Sequence, residues 1–403
     1  MCMGILCVGI DVSKNKFDGI IKNEENEIIM KSRVYRQSRK DMVRIISDIK
    51  SNKKANDDVI IGLESSGKYH RNLMNFLIHN GFKVREFNPL EIKALRQGRI
   101  RKTKTDKIDA EVIANAVRWD LKTNTERYLT DENYLKMKEL SSVHRGIVEK
   151  IADLKVDLRL ALSSLCPGYD ELFKNILSST SIEILKKAVK QTKLFMISEK
   201  EIERILKSNY SRTTDTKKLA GTVKEIFETS TCPEYNKEPL VFEIKFILAQ
   251  YEVLMTQRKR IEKRISRSIK EIDPVALSIT GIGEITCSTI LGNLGNVKRF
   301  KNDRAVTAYA GLDPIVVQSG KSINHAGHIS KRGNRELRTA LINSAMVGVM
   351  YNPVLKHMYH RLRSRGKSHW VSLVACARKL LLIIYSVEKN QKRFYVPDYI
   401  MKN

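Results

Sequence analysis

The chain is short of acid. Against 73 Lys and Arg stand only 45 Asp and Glu, which leaves a formal net charge of +28. Solubility needs far less charge than this, and so large a surplus draws polyanions, nucleic acid foremost among them. Paired cysteines are missing as well. The six, Cys2, Cys7, Cys166, Cys232, Cys287 and Cys376, are scattered, with neither the short spacing of a zinc site nor the density of a disulfide framework. They read as reduced thiols in a cytoplasm. The apolar run at the start is too short to span a membrane, and no membrane partner is expected. The opening MCMGILCVGIDVSK meets Asp11 where a signal peptide would place a small-residue cleavage site. It reads as a buried strand.

What is present supports a sizeable core: 403 residues with 42% hydrophobic content, enough for two or three domains. Continuous β-branched runs and alternation predict strands over 5–11, 16–22 and 27–35, a basic amphipathic helix over 39–51, a strand over 59–63 ending at Glu64, and a helix over 69–79. A strand over 83–88 and a helix over 107–121 follow. The order β-β-β-α-β-α-β-α describes a mixed sheet with helices on its faces. Beyond residue 130, Leu140, Val143, Ile147, Leu154 and Leu158 mark one face of a long helix that Cys166-Pro167-Gly168 ends. A second long helix carries Ile244, Tyr251, Ile265 and Ile272 on one register and Ile247, Leu254 and Ile261 on another, with Arg258 interrupting. The two form either a hairpin within the chain or a seam between chains. The expected organisation is α/β plus all-α: a catalytic domain over 1–125, a helical, coiled-coil linker and oligomerisation region over 126–272, and a mainly helical C-terminal domain over 273–403.

Four acids stand out in the N-terminal part. Asp11 in GIDVSK and Glu64 in GLESSGKYH end strands, while Asp106 and Asp109 in KTDKIDA lie three apart at a helix start, with Thr105 as a cap. Each alone is equally a turn or helix-dipole residue. Together, in a segment crowded with Lys93, Arg96, Arg99, Arg101, Lys102 and Lys104, they suit hard divalent cations that meet phosphates, as in two-metal phosphodiester cleavage.

Two further constellations lie near the C-terminus. SITGIGEITCSTILGNLG has the form of a helix end, a hairpin through Gly281 and Gly283, and a second helix, either a DNA-phosphate site of helix-hairpin-helix type or an ordinary turn. Next, Ser319 follows Gln318 in a Gly-containing loop with Lys321, Ser322, Lys331, Arg332, Arg335 and Arg338. No Ser-His-Asp order is evident nearby, and from the residues alone this serine is a turn former.

The motifs GIDVSK, GLESSGKYH and KTDKIDA, followed by GLDP, QSG and HISKRGN, resemble those of a family of bacterial insertion-sequence transposases. Its members have a DEDD, RNase H-like (RuvC-like) N-terminal domain and a serine-containing C-terminal transposase domain. The resemblance implies that Asp11, Glu64, Asp106 and Asp109 hold Mg²⁺, with two ions expected. It also implies that Ser319, with Ser322 its nearest competitor, attacks DNA and forms a phosphoserine link. The implied site is composite, joining the acids of one subunit to the serine of another in a homo-oligomer, dimer or tetramer. A structured guide RNA from the same element (a "bridge RNA") is implied to pair with donor and target DNA. The absence of a zinc finger fits such delegation, as do basic clusters over 96–107, 258–267 and 357–367. Nucleic-acid contacts are expected at Arg99, Arg101, Lys102, Lys104, Gly281, Gly283, Lys321, Lys331, Arg332 and Arg335, and the enzyme is expected to work at the bacterial nucleoid. A Holliday-junction-type endonuclease is the alternative, because the N-terminal acids would also suit water as nucleophile. A third reading is a non-enzymatic scaffold whose acids are structural.

Overall fold

The computed structural model describes residues 4–65, 69–87, 89–97, 106–122, 132–190, 197–209, 215–319 and 323–396. The N-terminal part runs β1 (Ile5–Val12), β2 (Lys16–Asn23), β3 (Ile28–Arg36), α1 (Arg39–Asn52), β4 (Asp58–Glu64), α2 (His70–His79), β5 (Lys83–Phe87), α3 (Pro89–Gln97) and α4 (Asp106–Lys122). The sequence expectation lacks only α3, a short helix beginning at a proline. The sheet has the order β3-β2-β1-β4-β5, with β2 antiparallel to β1 and β3, and β4 and β5 running parallel to β1.

Alternation divides this sheet into two faces. Val8, Ile10, Ile61 and Leu63 point to one side, where they meet Ile45 and Ile49 of α1 and Leu73 and Leu77 of α2. Cys7 and Ile60 point to the other and pack with Val112, Ile113, Ala116 and Val117 of α4. The second face needs glycine. A Cβ on Gly9 would sit 2.1 Å from the Ala110 carbonyl oxygen, and one on Gly62 would sit 2.6 Å from a Val117 methyl. Both residues are glycine because α4 lies directly on the backbones of β1 and β4.

The chain then forms α5 (Glu132–Leu165), α6 (Tyr169–Leu172), α7 (Ser179–Lys190), α8 (Glu199–Asn209), α9 (Thr216–Glu228) and α10 (Glu234–Ile272). Two compact units result, Met1–Ser141 with Ile265–Asn403, and Ser142–Arg264. In the second, Leu154, Leu158 and Leu162 of α5 share one core with Ile244, Ile247 and Leu248 of α10, and Tyr169 stacks on Phe227 at 5.5 Å. These stripes therefore turn inward within one chain. Val143 departs from the expectation and is half exposed. Arg258, which breaks the apolar register, pairs with Glu262 at 2.8 Å, and His144 approaches the same carboxylate at 3.2 Å. A second apolar stripe stays exposed, with Val156 and Leu160 on α5 and Phe242, Phe246 and Val253 on α10.

The C-terminal part holds α11 (Glu284–Leu294), α12 (Asp303–Ala310), a hairpin of β6 (Pro314–Ser319) and β7 (Ile323–Ile329), then α13 (Arg335–Tyr351), α14 (Pro353–Ser364) and α15 (His369–Asn390). Two expectations change here. A single 3-10 turn, Val275–Ser278, stands before the Gly281 hairpin instead of a helix. The serine segment forms two strands instead of a loop, as the β-branched run Ile315-Val316-Val317 allows.

This part docks on the first turns of α5. Gly292 of α11 lies against the backbone of Lys138, where a Cβ would come within 2.6 Å of the Lys138 nitrogen, and the Ser141 and Ser288 hydroxyls meet at 3.1 Å. Lys138 in turn reaches Glu86 of β5 at 3.3 Å, and His70 of α2 lies 3.0 Å from that carboxylate. Burial alone would raise the Glu86 pKa, but Lys138 and His70 outweigh it and hold the carboxyl well below its usual range. Among the described residues five cysteines are free and buried; burial pushes Cys7, Cys166 and Cys287 up to about 12, so these thiols are inert packing groups.

Candidate active site

The parallel register of β1 and β4 pairs Gly9 with Gly62 and Ile10 with Leu63. One residue further on, Asp11 and Glu64 end the two strands side by side. Because side chains alternate, both lie on the face that Gly9 and Gly62 present to α4. Asp109 immediately precedes Ala110, the residue seated on Gly9, and is buried at 5% exposure. Asp106 opens α4 one turn earlier; its side chain lies outside the described residues, as do Arg99, Arg101, Lys102 and Lys104. The fold thus brings three of the four expected acids to one end of one sheet face.

A fifth acid was not anticipated. Asp18 of β2 pairs directly with Asp11 across the antiparallel ladder and is only 2% exposed. Ile20, two residues on, packs against Ala110 and Ala114, so Asp18 also faces α4, and Lys16 lies 3.8 Å from its carboxylate. A charged residue in the middle of an otherwise buried strand was the available signal.

Three ion pairs fix α4 over these acids. Arg96 of α3 contacts Asp109 at 2.7 Å, Lys22 of β2 donates to Glu111 at 2.9 Å, and Arg85 of β5 donates to Asp120 at 2.6 Å. Arg85 also lies 4.6 Å over the Phe87 ring. Among the described residues no three His, Cys, Asp or Glu side chains come together closely enough to hold a metal ion. The donor set is nonetheless all carboxylate oxygen, the chemistry that hard divalent cations take. The Arg96 guanidinium supplies positive charge at Asp109.

Ser319 is the last residue of β6 and pairs with Ile323 across the hairpin tip; its side chain, together with Gly320, Lys321 and Ser322, lies outside the described residues. The hairpin base is closely packed. Gly311 and Gly333 touch backbone to backbone, so that a Cβ on Gly333 would come within 2.2 Å of the Tyr309 oxygen. Ser330 N–H donates to the Asp313 carbonyl at 2.9 Å, and Asn334 caps α13 through Leu337 N–H at 3.0 Å. Arg338 donates to the carbonyls of Ala310 and Lys331 at 3.3 and 3.4 Å. Lys331, Arg332 and Arg335 are exposed beside this base. Gly281 has φ +101° and abuts Gly348 of α13, while Gly283 caps α11 with Glu284 in its first turn. That acid opposes a phosphate at this helix end.

Comparison with known proteins matches both ends of the chain. Residues 8–167 match a model of DEDD transposases of the IS110 type, and residues 273–360 match a model described as transposase, IS116/IS110/IS902 family. Together the two models span more than half of the chain. The chain belongs to the IS110/IS116 transposase family. Similar proteins include the insertion element IS110 43.6 kDa protein of Streptomyces coelicolor, 23% identical over 71% of both chains. The insertion element IS116 44.8 kDa protein of Streptomyces clavuligerus is 21% identical over 97% of this chain and 96% of its own. The pilin gene-inverting protein of Moraxella bovis is 34% identical over 29% of this chain and 37% of its own. As a family transposase, the protein acts on DNA by strand cleavage and transfer, and its DEDD domain implies dependence on a divalent metal.

Proposed function

We propose that this transposase cuts and rejoins the DNA of an insertion sequence through a serine-linked intermediate. Asp11, Glu64, Asp106 and Asp109 hold divalent ions, two Mg²⁺ by the chemistry of their oxygens. The observation that carries this reading is the side-by-side exit of Asp11 and Glu64 from neighbouring parallel strands, under the end of α4 that bears Asp109. The order β3-β2-β1-β4-β5, with acids at the ends of its central strands, supports an RNase H-like assignment. When bound, the ions supply Lewis acidity and charge neutralisation at the scissile phosphate. Ser319 Oγ forms a bond to phosphorus as the bond to the leaving sugar oxygen breaks. The serine proton passes to a carboxylate, and the departing oxygen takes a proton from water. Attack by a hydroxyl of a second strand on the phosphoserine then restores a phosphodiester, so no energy-supplying cofactor is consumed.

No Ser-His-Asp order surrounds Ser319, although β7 carries His325 and His328, and the family resemblance supports a composite site completed by the acids of a second copy. The exposed stripe of Phe242, Phe246 and Val253 on α10 is a suitable seam for that homo-oligomer. The +28 charge without a sequence-reading motif supports delegation of target choice to a structured guide RNA. Supercoiled DNA carrying the element's ends is the substrate for the test, incubated with the protein, its RNA and Mg²⁺ and resolved on denaturing gels. The native chain traps DNA covalently, Ser319→Ala gives no covalent product and no strand exchange, and Asp11→Asn cuts nothing. Water-mediated cleavage retained by Ser319→Ala would transfer the assignment to a junction nuclease.

A further inference from the structure

The helix α15 is apolar around most of its circumference, enough in length and composition to qualify as a membrane span, yet half of it is buried. Leu373, Cys376, Ala377, Leu380, Leu381 and Ile384 form its buried side, facing α13 and α14. That leaves a second stripe to explain: Trp370, Val371, Val374, Ala375 and Leu382, with Arg378 and Lys379 between them. These residues floor a groove of about 920 Å³, walled by Ile342 of α13, Met358 of α14 and the hairpin base at Pro314 and Ile329. Among the described residues that line it stand five cations, Lys331, Arg338, Lys367, Arg378 and Lys379, and no acid.

The combination selects its occupant. An apolar protein segment would meet an interface rich in lysine, which interface cores are depleted of. Duplex DNA would satisfy the cations but keep its bases stacked inside, away from the floor. An unpaired strand satisfies both, with phosphates on the Lys and Arg rim and base faces on the apolar floor. Trp370 is placed for stacking. Its indole meets His369 edge-on at 5.4 Å and is left 62% exposed at one end of the groove. A strand-transfer enzyme creates such an occupant, because strands must separate before they are exchanged.

We propose that the groove between α13, α14, α15 and the base of the β6–β7 hairpin is a binding site for an unpaired DNA strand, with Trp370 as its stacking platform and Arg378, Lys379 and Lys367 as phosphate contacts. The site rests on the family's strand-transfer activity and is independent of the assignment of Ser319. It holds a strand beside the hairpin whose tip bears that serine.

The chain has two tryptophans, so Trp119→Phe makes Trp370 the sole tryptophan, read by red-edge excitation that spares the 14 tyrosines. In that full-length background (dT)12 quenches the emission saturably. Read by the anisotropy of fluorescein-labelled oligonucleotides, Trp370→Ala weakens (dT)12 binding about 10-fold, the scale of one lost base stack, and leaves a 12-base-pair duplex bound within about two-fold. Trp370→Phe, which keeps an aromatic face, retains most of the affinity and guards against a folding defect, as does an unchanged thermal melt. The proposal is overturned by no quenching at saturating (dT)12, by equal weakening of duplex and single strand by Trp370→Ala, or by tenfold tighter quenching by (rU)12, which would make the occupant RNA. Quenching that tracks self-association of the chain in the absence of oligonucleotide would likewise assign the groove to a second copy and refute it.

Discussion

Gly9→Ala tests whether the packing of α4 on the sheet sets the geometry of the acids. The added Cβ would lie 2.1 Å from the Ala110 carbonyl oxygen, 2.4 Å from the Ala114 nitrogen and 2.9 Å from its Cα. All three are backbone atoms in the middle of a helix, so no rotamer change relieves the clash. The helix has to lift by on the order of 1 Å to reach ordinary contact. Overpacking of this kind costs about 1–3 kcal/mol. The functional cost is larger. Asp109 precedes Ala110, whereas Asp11 and Glu64 stay with the strands, so lifting α4 opens the cluster by about the same distance. A misplacement of about 1 Å lowers catalytic rates roughly 100-fold. Gly9→Ala should therefore unfold at lower denaturant concentration and lose strand cleavage by about two orders of magnitude while still binding DNA. Gly146→Ala is the comparator, because nothing lies within 4 Å of its Cβ; it should match the native chain or be slightly more stable. Native cleavage rates in folded Gly9→Ala would refute the dependence of the site on this contact.

Two further outcomes follow from the ion pairs. Lys138→Met leaves the Glu86 carboxylate beside His70 without its main cation and should destabilise the unit by about 3 kcal/mol, read by urea denaturation. Glu86 has a depressed pKa in the folded chain, so its contribution is present above the ordinary carboxylate value and is lost as pH falls. The gap between native chain and variant should be full at pH 7 and shrink below about pH 4; a gap independent of pH would contradict the pairing. Arg96→Gln removes the guanidinium held 2.7 Å from Asp109 and exposes the acids to one another. Its melting temperature should fall without divalent ions and recover with millimolar Mg²⁺ or Mn²⁺ more than that of the native chain. Equal metal responses would argue against ion binding at Asp109.

The strands of the N-terminal sheet were legible because each presents a short β-branched run bounded by polar turns, and Asp11 and Glu64 stood out as the acids that end two of them. What spacing could not supply was register. That Asp18 lies opposite Asp11 depends on the length of the turn between β1 and β2; a charge within the apolar run KFDGII marks the aspartate as unusual, but only register makes it a neighbour of the site. Arg96 was legible only as one of a run of cations, although the fold turns it inward onto Asp109. The apolar stripes of α5 and α10 lie on buried faces with Val143 the exception, but periodicity is silent on whether a face meets its own chain or another. The answer depends on α6–α9, whose Tyr169, Ile205 and Phe227 fill the space between.

The same limit applies at the C-terminal end, with a different outcome. A helix apolar on both sides is either a core element, a membrane span or one that is half core and half binding surface, and α15 resolves into the third class only when its neighbours are placed. Its Arg378 and Lys379 sit within the second apolar stripe, where a lipid-facing helix would exclude them and a core helix would need acids to pair with them. No acid lines that side among the described residues. An anionic ligand that also presents flat apolar faces removes the contradiction, and an unpaired strand is the ligand of that kind which a strand-transferring enzyme makes.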